Sequence, residues 1–384
     1  MKYFLNIFCV CIFALFTTLQ TSQASETMTS LARQAIIVDY DTGTVLFSKN
    51  ADEKMPTSSM SKVMSMYLVF DALKKGDLAL DDELLVSEKA WKKGGSKMFV
   101  PVGKKVKIKD LIRGVIVQSG NDATIVLAEG LAGSEDDFAI ALNKKAKDLG
   151  MTNSHFMNAS GWPDPNHYST ARDLSKLTVS LIKNFPEYYK IFSEKEFTFS
   201  KIKQPNRNPL LYKGIGSDGV KTGHTEDGGY GLIGSGVSKD GRRVVMVLNG
   251  MASKKERKEE SARLMQWALN GFKKVSLFDN GKTLGDAEVY LGVKSKVGLN
   301  AKEPVTIIVP KIYASDVKVE ITYKSPLKAP IIKGQVVGVA KVNIPKGDVI
   351  EVPLLAANNV AELGFFAKLI KKSRLVTTGQ GKFN

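Results

Sequence analysis

The spacing of apolar side chains predicts alternating helices and strands in the part of the chain before Phe272. Apolar residues alternate with polar ones at the strand period in three segments, and recur at the helical period in five. The predicted strands are a hairpin from Ala35 to Phe47, Tyr230 to Gly236, and Arg243 to Asn249. The predicted helices are Met60 to Lys75, Ile108 to Gln118, Ala123 to Leu131, Asp137 to Leu149, and about Glu256 to Phe272. Strands interspersed with several helices are typical of the α+β class.

The pattern changes after Phe272, where short β-rich runs alternate with glycine, proline and lysine turns. Val305 to Val309 and Val317 to Ile321 are two such runs. They predict a small all-β domain at residues 274–355, which follows a first domain at residues 25–273. No catalytic cluster falls in the second domain, so a spacer or interaction module is favoured over a substrate-binding role.

The tail at residues 356–384 predicts an amphipathic helix with an apolar face and a basic face. The apolar face contains Leu363, Phe365, Phe366, Leu369 and Ile370. The basic face contains Lys368, Lys371, Lys372 and Arg374. Such a helix can lie in a membrane surface, with its basic residues at anionic headgroups. The alternative is a helix that docks on the protein's own core.

The first 24 residues have the pattern of a cleavable signal peptide. Lys2 precedes an apolar run from Tyr3 to Phe16, and small residues end at Ala24. The alternative is a signal anchor, although the run is shorter than the ~20 residues of a membrane span. Both cysteines, Cys9 and Cys11, lie inside the run, so the mature chain would have none. We expect secretion across the cytoplasmic membrane, to the periplasm or the membrane's outer face, with peripheral anchoring.

The formal net charge of +16 suggests an anionic partner. Nucleic acid, an acidic membrane surface and an acidic polymer are the candidates. Secretion argues against nucleic acid, and the lysines are scattered rather than clustered with aromatic residues. No nucleic-acid partner is therefore expected.

Candidate chemistry lies in three short motifs: Ser59-Met60-Ser61-Lys62, Ser119-Gly120-Asn121 and Lys221-Thr222-Gly223. Each motif alone has an ordinary explanation, because short patterns match by chance. Ser59 could be a helix N-cap, Ser119-Gly120-Asn121 an Asx-turn between helices, and Lys221-Thr222-Gly223 a solvated turn. Their fixed order in one chain favours an acyl-transfer site.

Ser59 stands at the predicted start of a buried helix, after the turn signal Pro56-Thr57-Ser58. Residues three apart share a helix face, so the Lys62 amine can reach the Ser59 hydroxyl and act as a base. The unpaired N–H groups at a helix start also favour the negative oxygen that develops during acyl transfer.

The ordered motifs resemble those of the serine penicillin-recognising enzymes, which comprise penicillin-binding proteins and serine β-lactamases. The chain is most similar to low-molecular-mass D-alanyl-D-alanine carboxypeptidases. Beyond the motifs, this likeness depends on Pro56-Thr57-Ser58, His224-Thr225, the run from Tyr168 to Asp173, and the layout of the C-terminal third. The resemblance implies a β-lactamase/transpeptidase-like catalytic domain and release of D-alanine from peptidoglycan stem peptides.

The resemblance also implies roles for ten residues. Ser59 would be the nucleophile, Lys62 its base and Ser119 a proton relay. The implied substrate-binding residues are Asn121, Lys221, Thr222, Gly223, His224, Arg207 and Arg257. The N–H groups of Ser59 and His224 would form the oxyanion hole. β-Lactams would acylate Ser59, and neither a cofactor nor a metal is implied.

Three alternatives stay open: a β-lactamase, a peptidoglycan endopeptidase, and a wall-binding protein with vestigial catalysis. The β-domain and the tail argue against a β-lactamase, and the short segment between Ser59 and Ser119 argues against an endopeptidase. The segment from Asn158 to Asp164 departs from the His-Gly loop of well-known carboxypeptidases. Deacylation could therefore differ from theirs.

Overall fold

A computed structural model describes residues 28–279 and 281–377, with side chains as far as residue 373. The predicted signal peptide at residues 1–24 and the Arg374 side chain lie outside these residues. The described chain forms an α+β domain, then an all-β domain and a terminal helix. The helices are α1 Lys62–Lys75, α2 Glu88–Lys92, α3 Ile108–Ile116, α4 Asn121–Ala132, α5 Glu135–Asp148, α6 Ala171–Asn184, α7 Pro186–Tyr189, α8 Lys254–Asn270 and α9 Phe365–Thr377.

The first domain is built on a five-stranded antiparallel sheet in the order β2-β1-β9-β8-β7. Its strands are β1 Gln34–Asp39, β2 Val45–Lys49, β7 Ser217–Thr225, β8 Gly229–Val237 and β9 Arg243–Met251. Two small hairpins pair β3 Glu83–Leu85 with β4 Lys105–Lys107, and β5 Glu196–Phe199 with β6 Ile202–Pro205. β7 therefore forms one edge of the main sheet.

Side chains that alternate along the central strands give this sheet two apolar faces. Ile36 packs in a core with the helices that follow the first hairpin, whereas its neighbour Ile37 packs in a core with α8. In the same way Val247 and Leu248 belong to opposite faces. The sheet is thus covered on both sides, and α1 is buried against it.

The second domain contains a six-stranded sheet in the order β14-β16-β17-β12-β11-β15 and a two-stranded sheet of β10 with β13. Its strands are β10 Phe272–Phe278, β11 Thr283–Tyr290, β12 Lys296–Ala301, β13 Val305–Pro310, β14 Lys318–Tyr323, β15 Leu327–Lys328, β16 Val336–Asn343 and β17 Val349–Ala356. Val360 is buried in this domain's core and pairs with Ile331. The packing of the domain therefore continues past the predicted boundary at residue 355, and the tail helix begins only at Phe365.

All the predicted helices and strands of the first domain are confirmed, with ends that differ by a few residues. Two differences concern the site. The first of the three motifs lies in a 3₁₀ turn at Ser58–Ser61 that continues into α1, rather than in the first turn of the α-helix itself. We refer to this segment as the nucleophile turn, after the role predicted for Ser59. α6 was not predicted, although its apolar residues follow a helical stripe.

The terminal helix α9 extends from the second domain with its apolar residues in solvent. Phe365 is 72% exposed and Phe366 79% exposed. Lys368 forms an ion pair with Glu362 at 2.7 Å. No helix among the described residues is both long and apolar enough to cross a membrane.

Candidate active site

Lys62 lies fully buried at the start of α1 and joins three parts of the site. Its Nζ is 2.8 Å from Ser59 Oγ, 2.7 Å from Asn121 Oδ1 and 2.8 Å from the Ser160 carbonyl oxygen. The 3₁₀ turn brings Ser59 and Lys62 to one side of the helix start. The structure thus brings together the first two predicted motifs, and it adds a backbone contact with the loop around Ser160.

The environment of Lys62 favours its neutral form. Burial is the main cause that lowers its pKa to about 7, and the positive charge of Arg207 adds to it. The Asp122 carboxylate acts in the opposite direction. A substantial fraction of Lys62 is therefore neutral near pH 7, with an amine in contact with the Ser59 hydroxyl.

Ser119 and Lys221 form a second buried pair in the site. Lys221 Nζ donates to Ser119 Oγ at 2.9 Å and to the Thr222 carbonyl at 3.2 Å. Burial first, and the charge of Lys62 next, hold the pKa of Lys221 well below its usual value. Ser119 lies in the loop between α3 and α4 with a φ of +62°, which directs its side chain inward. The predicted loop placement is confirmed.

The third motif lies on β7, the edge strand that was predicted beside the cleft. Gly223 packs against the nucleophile turn so closely that a Cβ there would lie 2.9 Å from the Thr57 carbonyl oxygen. Any larger residue would separate β7 from the turn. His224 follows as an exposed residue, and its ring lies against that of Tyr230 at a centroid distance of 3.9 Å and an interplanar angle of 33°.

A cleft of about 550 Å³ opens beside Ser59 and contains many cations. Its lining residues are Ser59, Ser96, Ser119, Arg207, Thr222, Gly223, His224, Tyr230, Lys254 and Arg257. We refer to it as the cationic cleft. With Lys221 buried beside it and no carboxylate in its lining, the cleft suits an anionic group.

The two predicted arginines are both at this cleft. Arg207 donates to Ser96 Oγ, and Arg257 donates to the Gly223 carbonyl at 3.2 Å. Burial lowers the pKa of each guanidinium. The Nε of Arg257 is buried and has no hydrogen-bond partner among the described residues. A carboxylate in the cleft could meet both side chains.

The sequence patterns did not indicate the loop that contains Gly94, Ser96 and Met98, which forms one wall of the cleft. Asp122, directly after the second motif, accepts backbone N–H groups of Met98 and Phe99 at 2.9 and 2.8 Å. The Asn121 amide donates to the Gly94 carbonyl at 2.8 Å. These contacts hold Ser96 near Arg207. In the sequence, only Asp122 pointed to this loop, because its carboxylate directly follows the second motif and the predicted chemistry gives it no role.

A second loop holds the nucleophile turn from its other side. Gly161 has a φ of +77°, and a Cβ there would lie 1.8 Å from the Ser58 carbonyl oxygen. His167 Nε2 is 2.7 Å from Ser61 Oγ, and its Nδ1 accepts the Met157 N–H at 3.2 Å. Burial lowers the pKa of His167 to about 4, so the ring is neutral near pH 7. The loop that departs from the well-known His-Gly pattern therefore still contacts the turn.

The site contains two serines and two buried lysines in hydrogen-bond contact, an arrangement suited to acyl transfer by a serine. Within residues 28–279 and 281–377, no group of three or more histidine, cysteine or acidic residues could hold a metal ion. The fold is that of a penicillin-binding protein, with a catalytic α+β domain and a C-terminal β-domain.

Comparison with known proteins defines the family. The family described as Peptidase_S11, D-alanyl-D-alanine carboxypeptidase, matches residues 20–252. The family described as penicillin-binding protein 5, C-terminal domain, matches residues 272–362. The chain belongs to the D-alanyl-D-alanine carboxypeptidase family of serine hydrolases.

Individual relatives extend over nearly the whole chain. D-alanyl-D-alanine carboxypeptidase DacA of Haemophilus influenzae is 39% identical and covers 92% of this chain and 91% of its own length. The structure of penicillin binding protein 5 from H. influenzae has a TM-score of 0.76 at 38% identity, covering 88% of this chain and 99% of its own. Penicillin-Binding Protein D2 from Listeria monocytogenes, in its ampicillin-bound form, has a TM-score of 0.57 at 30% identity. It covers 62% of this chain and 98% of its own.

Proposed function

We propose that this chain removes the terminal D-alanine from peptidoglycan stem peptides ending in D-Ala-D-Ala, through an acyl-enzyme on Ser59. One observation carries the proposal. A buried lysine with a pKa of about 7 contacts Ser59, and Ser59 opens onto a cleft that suits a carboxylate. A free carboxylate at the substrate's end is what distinguishes a carboxypeptidase from an endopeptidase.

Acylation would begin with neutral Lys62. Its amine takes the proton of the Ser59 hydroxyl as Oγ attacks the carbonyl carbon of the penultimate D-alanine. The carbonyl oxygen becomes negative and accepts the backbone N–H groups of Ser59 and His224. Gly223 keeps β7 close enough to the turn for both N–H groups to converge.

Collapse of this intermediate breaks the amide bond, and the leaving amine needs a proton. Ser119 would supply it, since its hydroxyl lies 2.9 Å from Lys221 Nζ and can be reprotonated from there. Thr222, Lys221, Arg207 and Arg257 would hold the leaving residue's carboxylate. Before deacylation Lys62 would release the proton it took from Ser59 to solvent, and Lys221 would regain one from solvent. Water then attacks the ester as Lys62 takes the water's proton, and Lys62 passes that proton to Ser59 Oγ when the shortened peptide leaves.

Asn121 would position both partners of the acylation step. Its Oδ1 accepts from Lys62, and its Nδ2 donates to the Gly94 carbonyl at 2.8 Å, which fixes the orientation of the amide. β-Lactams would acylate Ser59 by the same attack. The ampicillin-bound relative supports this assignment of inhibitor class.

The test is D-alanine release from an acetylated peptide ending Lys-D-Ala-D-Ala, measured with the purified full-length chain. We expect release that Ser59→Ala reduces by about 10³-fold or more, as for other nucleophile deletions. Fluorescent penicillin labelling should disappear in the same variant. Labelling that persists in Ser59→Ala would contradict the assignment of the nucleophile.

The same assay separates the alternatives. Rapid turnover of penicillin without D-alanine release would favour a β-lactamase. Release only from cross-linked peptides would favour an endopeptidase. A folded protein that binds peptidoglycan, but neither is labelled by penicillin nor releases D-alanine, would favour the hypothesis of a wall-binding protein with vestigial catalysis.

We further propose that the protein is exported and bound to the outer face of the cytoplasmic membrane through α9. Phe365, Phe366, Leu369 and Ile370 are all more than half exposed. Exposed aromatic residues beside lysines on a terminal helix are typical of peripheral membrane attachment. Membrane binding would remove these exposed apolar side chains of α9 from water.

Truncation after Gly364 tests this attachment. The cut removes α9 but keeps the backbone bond from the Leu363 N–H to the Leu291 carbonyl at 2.8 Å. We expect the truncated protein to leave anionic vesicles while D-alanine release is unchanged. Cosedimentation of the truncated chain with vesicles would contradict the proposal.

A further inference from the structure

The second domain has two ends, which the direction of β17 distinguishes. Where β17 begins, Asp348 and Ile350 line a cavity together with Thr42 of the first domain. Where β17 ends, the Ala356 carbonyl accepts the Gly334 N–H at 2.9 Å. An extended strand of this length, 8 residues, separates the two ends by about 25 Å. The end at Ala356 therefore lies away from the first domain.

Two loops form this far end, on either side of the segment that leads into α9. One loop follows β11 and contains Val293, and the other follows β15 and contains Ile332. Val360, in the segment before α9, pairs with Ile331. The Val293 N–H donates to the Ala361 carbonyl at 2.9 Å. We refer to the two loops, residues 291–296 and 329–335, as the distal loops.

Each distal loop exposes a large aliphatic side chain to solvent. Val293 is 58% exposed and Ile332 is 69% exposed. A single exposed apolar residue is ordinary on a protein surface. Here the backbone contacts of both loops place two of them beside the start of α9, where Phe365 and Phe366 are exposed as well.

The same end of the domain is basic. Residues 291–296 and 324–336 contain no acidic residue, and they contain Lys294, Lys296, Lys324, Lys328 and Lys333. None of these lysines forms an ion pair within the described part of the chain. Lys324 and Lys328 also line a groove of about 350 Å³ that reaches Ile331. Glu362, the acidic residue that precedes α9, is already paired with Lys368.

An anionic bilayer accounts for both properties of the distal loops. Free lysines around a surface attract an anionic partner. A soluble anionic polymer would meet the lysines but leave the aliphatic side chains in water. A bilayer has anionic headgroups for the lysines and an acyl boundary for Val293 and Ile332, which is the pattern of interfacial segments.

We propose that the distal loops themselves contact an anionic lipid surface, with Val293 and Ile332 at the acyl boundary and the lysines at the headgroups. This inference rests on the proposed attachment through α9, and it adds a second contact that fixes the orientation of the second domain on the membrane. Two aliphatic side chains are too little apolar surface for stable binding by themselves. The loops therefore make their contact only in a chain that α9 already holds at the membrane.

Cysteine labelling tests this contact, because the chain after the predicted signal peptide contains no cysteine of its own. Ile332→Cys and Val293→Cys are each labelled with an environment-sensitive fluorophore and compared with Ile312→Cys. Ile312 is the matched control, since it is 74% exposed but lies toward the first domain. There the neighbouring Lys311 N–H donates to the Gly271 carbonyl at 2.8 Å.

The labelled chains, with α9 intact, are mixed with vesicles of phosphatidylglycerol and phosphatidylcholine. We expect emission from the labels at positions 332 and 293 to shift to shorter wavelength and to be quenched by spin-labelled lipid. The label at position 312 should keep the emission that it has in water. Bound chains without a shift at positions 332 and 293 would overturn this inference and leave the attachment through α9 intact. Chains that do not bind the vesicles would reject both.

Serine and glutamine variants measure the strength of the contact. Val293→Ser combined with Ile332→Ser should weaken vesicle binding of the whole chain about tenfold, because part of two aliphatic side chains stays in water. Ile312→Ser should bind as the parent does. Lys328→Gln and Lys333→Gln should each weaken binding about fivefold on anionic vesicles, and not on phosphatidylcholine alone.

D-Alanine release separates this inference from the proposed reaction. It should be equal in all these variants, because none of the substituted residues lines the cationic cleft. Vesicle affinity that stays unchanged in the double serine variant and in both glutamine variants would overturn the contact of the distal loops, whatever the rate of release.

Discussion

The two domains bury different kinds of side chain. Among the described residues, every buried polar or charged residue lies between Ser30 and Ser261, in the first domain. The core of the second domain is formed by apolar residues such as Val297, Leu299 and Leu354. Buried polar groups cost free energy unless they are paired, and several of those in the first domain, including Lys62, Ser119 and Lys221, lie in the candidate site.

The largest test of this contrast is Lys62→Met, which replaces a buried base by an apolar side chain of similar length. We expect acylation by fluorescent penicillin to slow by about 10²- to 10⁴-fold, the range of general-base catalysis. Stability should change little, because relief from burying an amine offsets the lost hydrogen bonds to Asn121 and Ser160. Labelling reactions quenched at successive times measure the rate of acylation, and urea unfolding measures stability. Labelling at the normal rate would remove Lys62 from catalysis.

The reciprocal test is Leu354→Ala in the second domain. Leu354 is fully buried on β17, so its truncation leaves a cavity. We expect the free energy of unfolding of this domain to fall by about 2–5 kcal/mol. At 25 °C kcat/KM should be unchanged, because no residue of the second domain lines the cationic cleft. A parallel loss of activity would mean that the domains are coupled.

The remaining test of the contrast is a dependence of stability on pH. The pKa of Lys62 falls from 10.5 to about 7 on folding, so the unfolded chain binds more protons between these values. Stability should therefore rise from pH 7 toward pH 10.5, while the cost of burial is fully present below pH 7. Acylation should rise with pH through about 7 as Lys62 becomes neutral.

Lys62→Met again serves as the comparison. The variant should lose part of the increase in the free energy of unfolding with pH. It should retain the part due to Lys221, whose pKa shifts in the same direction. Urea midpoints at pH 7, 8 and 9 measure both. An identical slope in the variant and the parent would show that Lys62 is not the titrating group.

Sequence patterns were sufficient for the parts of the site that depend on local spacing. Ser59 and Lys62 share a helix start, Ser119 lies in an inter-helix loop, and Lys221 is on an edge strand, as predicted. The distance between the motifs could not be predicted, because it depends on how β7 packs against the nucleophile turn. The fixed order of the motifs, together with the resemblance to a known family, suggested a single site.

Backbone contacts account for most of what was missed. The Ser160 carbonyl accepts from Lys62, and Asp122 holds the wall that carries Ser96 through backbone N–H groups. A backbone atom has no signature in the sequence, so its role is visible only after folding. A second cavity of about 660 Å³, beside the turn at Ser58–Ser61, has the same origin, since its lining residues Asp164 and Asp227 lie far apart along the chain.

The packing of Gly161 and Gly223 on either side of the nucleophile turn has a consequence for evolution under antibiotics. Neither position leaves space for a methyl group, since one would collide with the Ser58 carbonyl and the other with the Thr57 carbonyl. Substitutions of Gly161 or Gly223 that would move the nucleophile turn are therefore not expected among the changes selected by β-lactams. Resistance that preserves wall maintenance should instead accumulate where side chains are free to change, at the rims of the two cavities.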